Sequence, residues 1–425
     1  MKHMMILLMM LACLLFSGAL AEDVATATEL NVATATELDV ATATDLDIQP
    51  GEGAAYATVT DLNACTVLGK TGQRQHGGEN SLVLTYGASG FTSNFEGTEF
   101  WMYVPEMPTW DNDGDGKSEY QTQRIMVLVD TDMPMEAECI YVENPGWYRL
   151  ASGLEKGSHT ITVYKADRGF YGIMAALYLP ISRIATDGAF ETPNPLKDLV
   201  IEVYGDSISN GDAVWTDGKN PQAYTYGAYG GVVARLLGAE LRVCGNSGNG
   251  LLGWVLAGGA NGRLDNLFPP QNSWDKIDPN QISSPWSHEG ANAADVVIIN
   301  LGTNDRVELG NGDLTPEVFT AEYVRFIKQI KTDCPDAMVI GCIGAMDAVK
   351  EFSGAIQAAV DEVNQWHGSE FAYYVELQNC RNIKDGMGHD NSHPSQRAHE
   401  QYGLQIARLI NEKLSLGVEL PEEVK

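Results

Sequence analysis

The amino-acid sequence predicts an α/β fold, in which a three-layer α/β/α domain with a parallel sheet follows an all-β jelly-roll or sandwich domain. Two observations predict it. The length of 425 residues is more than a single hydrophobic core usually serves. The hydrophobic periodicity also changes: short alternating runs dominate from about 51 to 190, and apolar strand-like runs alternate with helical stretches after about 191.

The first 21 residues have the order of a secretory signal peptide. Lys2 and His3 precede an apolar run from Met4 to Phe16, and small residues follow up to Ala21. The run is shorter than the about 20 apolar residues that cross a bilayer. We therefore expect cleavage near Ala21 and export to an extracellular or periplasmic compartment, with lipidation at Cys13 as the alternative.

Residues 22–50 are predicted to be a linker rich in Thr and Ala. A unit of eight residues begins at Val24 and recurs, slightly varied, from Val32 and from Val40. Three copies of this size are too few to build a solenoid. A flexible or O-modified spacer is therefore expected, with an edge strand of alternating Ala and Thr as the alternative.

Charge excludes two classes of partner. The chain has 57 acidic and 27 basic residues, a net charge of -30, and we find no basic run. Nucleic acid binding needs a positive surface, and an anionic membrane would repel this chain. This excess of negative charge suits an enzyme that acts on neutral or hydrophobic substrates.

The sequence predicts no metal site. No Cys-x-x-Cys or Cys/His cluster indicates zinc, and we expect Cys244 and Cys342 to be buried in apolar strands. The acidic loop from Asp111 to Asp115 matches the start of a calcium loop, but its twelfth position is Thr122 instead of Glu. A solvated acidic turn is predicted, with a structural calcium as the alternative.

The first folded domain is expected over 51–190. Alternating runs at 122–129, 160–164 and 173–178 are separated by turn residues, and no helical period interrupts them. This pattern is typical of a β-sandwich.

The second domain is expected over 191–418, with a short tail at 419–425. Five apolar strands are predicted at 199–204, 241–244, 295–301, 337–343 and 371–377. Helices are predicted between and after them, at 222–237, 316–333, 352–367 and 396–415. Thr315 and Pro316 are favourable first residues for the second of these helices. Strands that alternate with helices predict a parallel sheet covered on both faces.

Polar residues and glycines follow four of these strands. Ser207 follows the first strand, Gly248 the second, Asn304 the third, and Asp390 and His393 come after the fifth. Functional groups of such sheets gather at the carboxyl ends of the strands. A hydroxyl, an imidazole with a carboxylate, and amide donors together can perform acyl transfer. Taken singly, each of these residues is equally an ordinary turn former.

The glycine-rich stretch 245–250 also resembles a phosphate-binding loop. The helix and the ribose-binding acid that a dinucleotide site requires do not follow it, so we discount a nucleotide site.

The four blocks together resemble the SGNH, or GDSL-type, hydrolase superfamily. The resemblance implies that Ser207 is the nucleophile and His393 the general base, which Asp390 orients. It also implies an oxyanion hole made of the Ser207 and Gly248 amides and the Asn304 side chain, and no cofactor. Some relatives dispense with the acid, so a Ser–His dyad stays the alternative to a triad.

A sandwich ahead of such a domain resembles carbohydrate esterase family two. The stretches 148–154 and 160–165 are similar to a late hairpin of that family's sandwich. The resemblance implies removal of acetyl groups from xylan, glucomannan and related polysaccharides. Ser392 departs from the family, whose members often have an aromatic residue before the histidine.

Two tryptophans near the predicted strand ends, Trp215 and Trp254, are candidates for stacking on sugar rings. The partner expected is thus an acetylated polysaccharide or oligosaccharide. Two alternatives stay open: a lipase or arylesterase, which would prefer other esters, and a carbohydrate-binding protein without catalysis.

Overall fold

The structure is a computed structural model. It describes residues 49–424 except 112–115, 167–177, 253–285, 313 and 348. The predicted signal peptide, the repeats of the linker and Trp254 lie outside the described residues. None of the helices that it describes is long and apolar enough to cross a membrane.

The N-terminal part is built from antiparallel strands. Their bounds are β1 (Ala55–Thr58), β2 (Thr66–Leu68), β3 (Thr71–His76), β4 (Glu79–Leu84), β5 (Gly90–Gly97), β6 (Phe100–Val104), β7 (Thr109–Trp110), β8 (Glu119–Tyr120), β9 (Gln123–Val129), β10 (Glu138–Val142), β11 (Gly146–Ala151), β12 (Gly157–Lys165), β13 (Leu179–Ile181), β14 (Arg183–Thr186) and β15 (Ala189–Glu191). One sheet has the order β1-β14-β6-β11 and a second the order β10-β9-β12-β5-β15. Ile161 and Val163 of β12 are buried and Thr162 between them is not, as the alternating sequence predicts.

The predicted hairpin of 148–154 with 160–165 is wrong. β11 pairs with β6, whereas β12 pairs with β5 and β9 of the other sheet. Leu150 and Ile161 both belong to the core of the sandwich. Strands of opposite sheets fill that core from both sides, which the two arms of one hairpin would not do.

The C-terminal part contains a parallel sheet. Its strands are β16 (Val200–Gly205), β19 (Glu240–Gly245), β20 (Val296–Asn300), β21 (Met338–Gly344) and β22 (Ala372–Leu377), and the short ribbon strands β17 (Trp215–Thr216) and β18 (Pro221–Gln222) lie outside it. The sheet order is β19-β16-β20-β21-β22, and all neighbours are parallel. Because all five strands run in the same direction, their carboxyl ends lie at one edge of the sheet.

Helices cover both faces of this sheet. They are α1 (Ser207–Asn210), α2 (Tyr229–Leu237), α3 (Arg306–Asn311), α4 (Pro316–Asp333), α5 (Val349–His367) and α6 (Gln396–Lys413). α2 packs against α6, and α4 packs against α5. Two separate hydrophobic clusters lie against the sheet, one containing Ile298 and Tyr402 and the other Ile299 and Tyr323. The predicted three-layer α/β/α architecture behind an all-β sandwich is confirmed.

The local signals for helices succeed at α4 and fail at α2. The Thr315 hydroxyl accepts from Val318 N at 3.4 Å, and α4 begins at Pro316 as predicted. The predicted start of α2 at 222 is wrong, because Gln222 belongs to β18 and the helix begins at Tyr229. Ala228 caps it without a side-chain hydrogen bond, so no capping residue marks this start in the sequence.

A buried ion pair joins the strand-rich part to the parallel sheet. Lys70 Nζ lies 3.4 Å from Glu202 Oε1 in β16, and both side chains are fully buried. The Tyr204 hydroxyl also donates to Glu202. Charges buried in this way are costly unless paired, so the contact favours one arrangement of the two parts.

The cysteines hold no disulfide among the described residues, where six are free thiols. Cys244 and Cys342 are buried in β19 and β21, which confirms the sequence prediction for both.

Candidate active site

Ser207 lies directly beyond the buried strand β16, as the first residue of α1. The Asp206 carboxylate caps this short helix and accepts from Ile208 N at 2.9 Å. The turn requires glycine before it: a Cβ on Gly205 would lie 1.9 Å from Ser209 Oγ. The tight strand–turn–helix therefore fixes the position of the Ser207 hydroxyl at the carboxyl edge of the sheet.

Asp390 and His393 lie on a loop that closes back on itself before α6. Gly388 N donates to His393 O at 2.7 Å. One Asp390 oxygen accepts from the backbone amides of Ser392 at 2.8 Å and His393 at 2.9 Å. The other oxygen lies 2.6 Å from His393 Nδ1, and His393 Nε2 lies 2.9 Å from Ser207 Oγ. The structure thus brings together the three side chains that the sequence motifs single out.

The Asp390–His393 contact shifts the pKa values of the two side chains in opposite directions. Burial raises the pKa of Asp390, but the hydrogen bond and charge of His393 and two backbone amides lower it more, to about 2. Burial lowers the pKa of His393, but the hydrogen bond to Asp390 and the nearby carboxylates raise it above the ordinary value. Asp390 is therefore ionised at neutral pH and favours an imidazole that carries its proton on Nδ1, which leaves Nε2 able to accept.

The Asn304 side chain lies between the turn of Gly248 and the turn of Ser207. Gly248 follows β19 with a φ of 82°, a left-handed conformation that favours glycine. Asn304 Nδ2 donates to Asn249 O at 2.7 Å and lies 3.4 Å from Asp206 Oδ2. The Asn304 amide therefore links the turn of Gly248 to the turn of Ser207.

Asp305 anchors the segment that follows Gly248. Its two carboxylate oxygens accept from the amides of Leu251 and Leu252, each at 2.8 Å, and its side chain is fully buried. The motif that contains Asn304 thus supplies a second polar side chain, and this one fixes the backbone at 251–252.

The arrangement is competent for acyl transfer. An imidazole that accepts from a hydroxyl can raise its nucleophilicity, and a carboxylate on the far nitrogen stabilises the imidazolium that forms. Amide groups at this edge of the sheet are of the type that can donate to a developing oxyanion.

The aromatic residues near the motifs have different environments. Trp215 is half-buried in the β17–β18 ribbon opposite Gln222. Tyr224 and Tyr229 are fully buried in the core. Of the two candidate tryptophans, Trp215 is thus partly accessible, and Trp254 lies outside the described residues.

The acidic loop is described only at its ends, where Asp111 Oδ2 accepts from Gly116 N at 3.0 Å. In the described part of the chain, no group of three or more His, Cys, Asp or Glu side chains could hold a metal ion.

Sequence reasoning missed three polar side chains around Ser207. Asp206 is fully buried, and burial raises its pKa to about 7. Asp212 accepts from Asn210 Nδ2 at 2.7 Å and from Ser247 Oγ at 2.6 Å. Asp206 and Ser247 directly precede Ser207 and Gly248, and this adjacency is the only signal of them in the sequence.

Comparison with known proteins agrees with this geometry. Residues 203–401 match the GDSL-like lipase/acylhydrolase family. The chain is 27% identical over 283 residues to Cellulase/esterase CelE of Acetivibrio thermocellus. The match covers 63% of this chain but only 31% of that protein, so the chain spans about a third of the length of its curated relative.

Solved structures resemble the whole described architecture. A family two carbohydrate esterase from Cellvibrio japonicus has a TM-score of 0.67 at 17% identity, over 85% of this chain and 98% of its own. One from Clostridium thermocellum, in complex with cellohexaose, has 0.65 at 20% identity, over 83% and 99%. An acetyl xylan esterase from Butyrivibrio proteoclasticus has 0.65 at 15% identity, over 85% and 99%. At these identities the likeness establishes the fold. Residues 203–401 thus form a domain that matches the GDSL-like lipase/acylhydrolase family, in a chain with the fold of the family two carbohydrate esterases.

Proposed function

We propose that this chain is a secreted serine carbohydrate esterase that removes O-acetyl groups from plant polysaccharides such as xylan and glucomannan. The observation that carries the proposal is the chain of hydrogen bonds from Asp390 through His393 to Ser207, at 2.6 and 2.9 Å. The family of residues 203–401 supports the reaction class. The fold shared with carbohydrate esterases supports the substrate class.

Acylation begins at the Ser207 hydroxyl. Its oxygen attacks the acetyl carbonyl carbon while His393 Nε2 takes the proton. The Ser207 and Gly248 amides and the Asn304 side chain donate to the oxyanion of the tetrahedral intermediate. The bond between the acyl carbon and the sugar oxygen then breaks, and His393 returns its proton to that oxygen.

Deacylation repeats these steps with water. His393 takes a proton from a water molecule, which attacks the acetyl-Ser207 carbonyl carbon. Collapse of the second intermediate releases acetate and restores the Ser207 hydroxyl with the proton from His393. Asp390 stays ionised throughout, because the pKa of its carboxyl group is held at about 2.

Charge and relatives support a neutral polysaccharide as substrate. A net charge of -30 disfavours polyanionic ligands. One structural relative is in complex with cellohexaose, a neutral glucan chain. Trp215 and Trp254 are the side chains that we propose for contact with sugar rings.

The proposal includes the route and organisation of the chain. The signal peptide at 1–21 would direct export and be cleaved near Ala21, and 22–50 would tether the folded part. The sandwich at 51–190 would precede the catalytic domain at 191–418 and the tail at 419–425.

The test is acetate release from acetylated xylan and acetylated glucomannan. We expect release by the wild type and a loss of about 10⁴-fold or more in kcat for Ser207→Ala. Ser158→Ala is the control, because this exposed hydroxyl lies in the sandwich, where it donates to Glu191 Oε1 at 2.8 Å. It should release acetate at the wild-type rate.

Other outcomes would replace the proposal. Binding of both glycans without acetate release, by wild type and Ser207→Ala alike, would support a carbohydrate-binding protein without catalysis. Turnover of long-chain or aryl esters in preference to both acetylated glycans would support a lipase or arylesterase.

A further inference from the structure

Asp212 is a half-buried carboxylate beside the candidate active site that the hydrolytic mechanism leaves without a role. We propose that Asp212 is a positioning residue, which holds the Gly248 amide in place through Ser247 and adds a second negative charge beside His393. The inference rests on the proposed function, since it assigns Asp212 a part in ester hydrolysis at Ser207.

Three hydrogen bonds tie Asp212 to two of the catalytic turns. Its backbone amide donates to Ser207 O at 3.0 Å, within the nucleophile turn. Its Oδ2 accepts from Ser247 Oγ at 2.6 Å, and its Oδ1 from Asn210 Nδ2 at 2.7 Å. Ser247 directly precedes Gly248, so the carboxylate bridges the nucleophile to a proposed oxyanion donor.

Asn210 makes this bridge rigid. Its backbone amide donates to Asp206 O at 3.0 Å, and its side-chain oxygen accepts from Thr225 Oγ1 at 3.2 Å. Its Nδ2 lies 3.4 Å from Ser247 Oγ as well as 2.7 Å from Asp212. Because the side chains of Asn210, Asp212 and Ser247 contact one another, each has few alternative rotamers. Hydrogen bonds to a charged acceptor such as the Asp212 carboxylate are also stronger than those between neutral groups.

The next residue reaches the loop that carries the base. Ala213 O accepts from His389 N at 3.1 Å. A Cβ on Gly388 would lie 2.9 Å from Ala213 O, so the two segments touch closely. Ala213 has a φ of 63°, a strained value for alanine that the surrounding contacts must maintain. Residues 212 and 213 thus contact all three catalytic turns.

The charges around His393 come from two directions. Asp390 contacts it from its own loop, and the carboxylates of Asp212 and Asp206 act on it through their charge from the nucleophile turn. His399 of α6 is neutral, because burial lowers its pKa to about 3. Burial lowers the pKa of His393, and the Asp390 hydrogen bond followed by the Asp212 charge raises it. Asp212 therefore stabilises the imidazolium that forms when His393 takes the Ser207 proton.

Two variants separate the two roles of Asp212. Asp212→Asn keeps an oxygen for Ser247 and removes the charge, so His393 stays neutral to lower pH. We expect the acidic limb of kcat/KM for acetate release to move to lower pH and kcat to fall by about 10-fold. That loss is smaller than the about 10²–10³ that removal of an oxyanion donor costs. Ser247→Ala keeps the charge and removes the bridge, so kcat should fall by about 10-fold with the acidic limb unmoved.

Asp361→Asn is the matched control. Its exposed carboxylate on α5 accepts from Gln357 Nε2 at 2.9 Å, and the asparagine keeps an acceptor there. Neither kcat nor the acidic limb should change. The pH dependence of inactivation by diisopropyl fluorophosphate reports on folded molecules alone, so partial unfolding of a variant does not imitate the shift.

The outcomes separate this inference from the proposed function. An acidic limb of Asp212→Asn that coincides with that of the wild type, or a Ser247→Ala variant with wild-type kcat, overturns the inference. If Asp212→Asn does not fold, Ser247→Ala still decides the positioning role. Full activity of Ser207→Ala would instead overturn the proposed function.

Discussion

Two Asp–His pairs in this molecule share one geometry. In the sandwich, Asp130 Oδ2 lies 2.6 Å from His159 Nδ1, and in the candidate active site Asp390 Oδ2 lies 2.6 Å from His393 Nδ1. The second oxygen accepts from backbone amides in both pairs, that of Thr160 at 2.8 Å in the sandwich. The carboxylate raises the imidazole pKa in both. The Asp–His pair by itself therefore does not identify an active site.

The difference lies at the other ring nitrogen. His159 Nε2 lies 2.7 Å from the carbonyl oxygen of Glu155, whereas His393 Nε2 lies 2.9 Å from the Ser207 hydroxyl. A carbonyl only accepts, so His159 must donate there and acts as a cross-link. A hydroxyl can donate, so His393 can accept a proton. The partner on Nε2 thus decides whether the same pair is structural or able to act as a base.

The largest difference between the two pairs is expected when the carboxylate charge of each is removed. Asp390→Asn should lower kcat by about 10⁴-fold, because the amide favours the wrong imidazole tautomer for accepting the Ser207 proton. Asp130→Asn removes the same group from the matched pair and should leave kcat unchanged. Acetate release under saturating substrate measures both.

A small loss for Asp390→Asn would have a definite meaning. If that variant retained more than about a tenth of the wild-type kcat, Ser207 and His393 would act as a dyad, and Asp390 would resemble Asp130 in being structural.

Sequence alone predicts the site's composition because its residues follow apolar strands. The apolar run before Gly205 predicts β16, and parallel strands bring their carboxyl ends to one edge. That rule places Ser207 near Asn304 without knowledge of any contact. His159 follows none of the five predicted strands of the parallel sheet, so the same rule gives it no place at this edge.

What sequence does not predict are contacts that depend on strand partners and turns. The alternation of apolar and polar residues identifies β11 and β12 as strands, but it carries no information on which sheet each strand joins. The Ser247–Asp212 bond joins residues 35 positions apart, and neither residue type is unusual in a turn. The Asp130–His159 pair is likewise formed by the pairing of β12 with β9.

A second pair of variants tests the amide group that we assign to the oxyanion hole beside Ser207. Asn304→Ala removes the side chain that we assign to the oxyanion hole, and kcat should fall by about 10²–10³-fold. Asn379→Ala is the control, since the Asn379 amide donates at 2.7 Å to Asp347 instead. Equal losses in the two variants would show that Asn304 acts through the fold. A rise in KM with kcat unchanged in Asn304→Ala would likewise contradict a role of Asn304 in the transition state.

The smallest effect expected is a shift in titration, and it distinguishes the two histidines directly. The hydrogen bond to Asp130 raises the pKa of His159, and the hydrogen bond to Asp390 outweighs burial and raises that of His393. Both imidazole resonances should therefore titrate above the ordinary histidine value of about 6.5 in NMR spectra. A base must be neutral to accept a proton, so activity should be lost as the pH falls through the His393 midpoint. Asp130→Asn should lower the His159 midpoint and leave the acidic limb of kcat/KM in place. If the limb followed His159 instead, the base would have been assigned to the wrong pair.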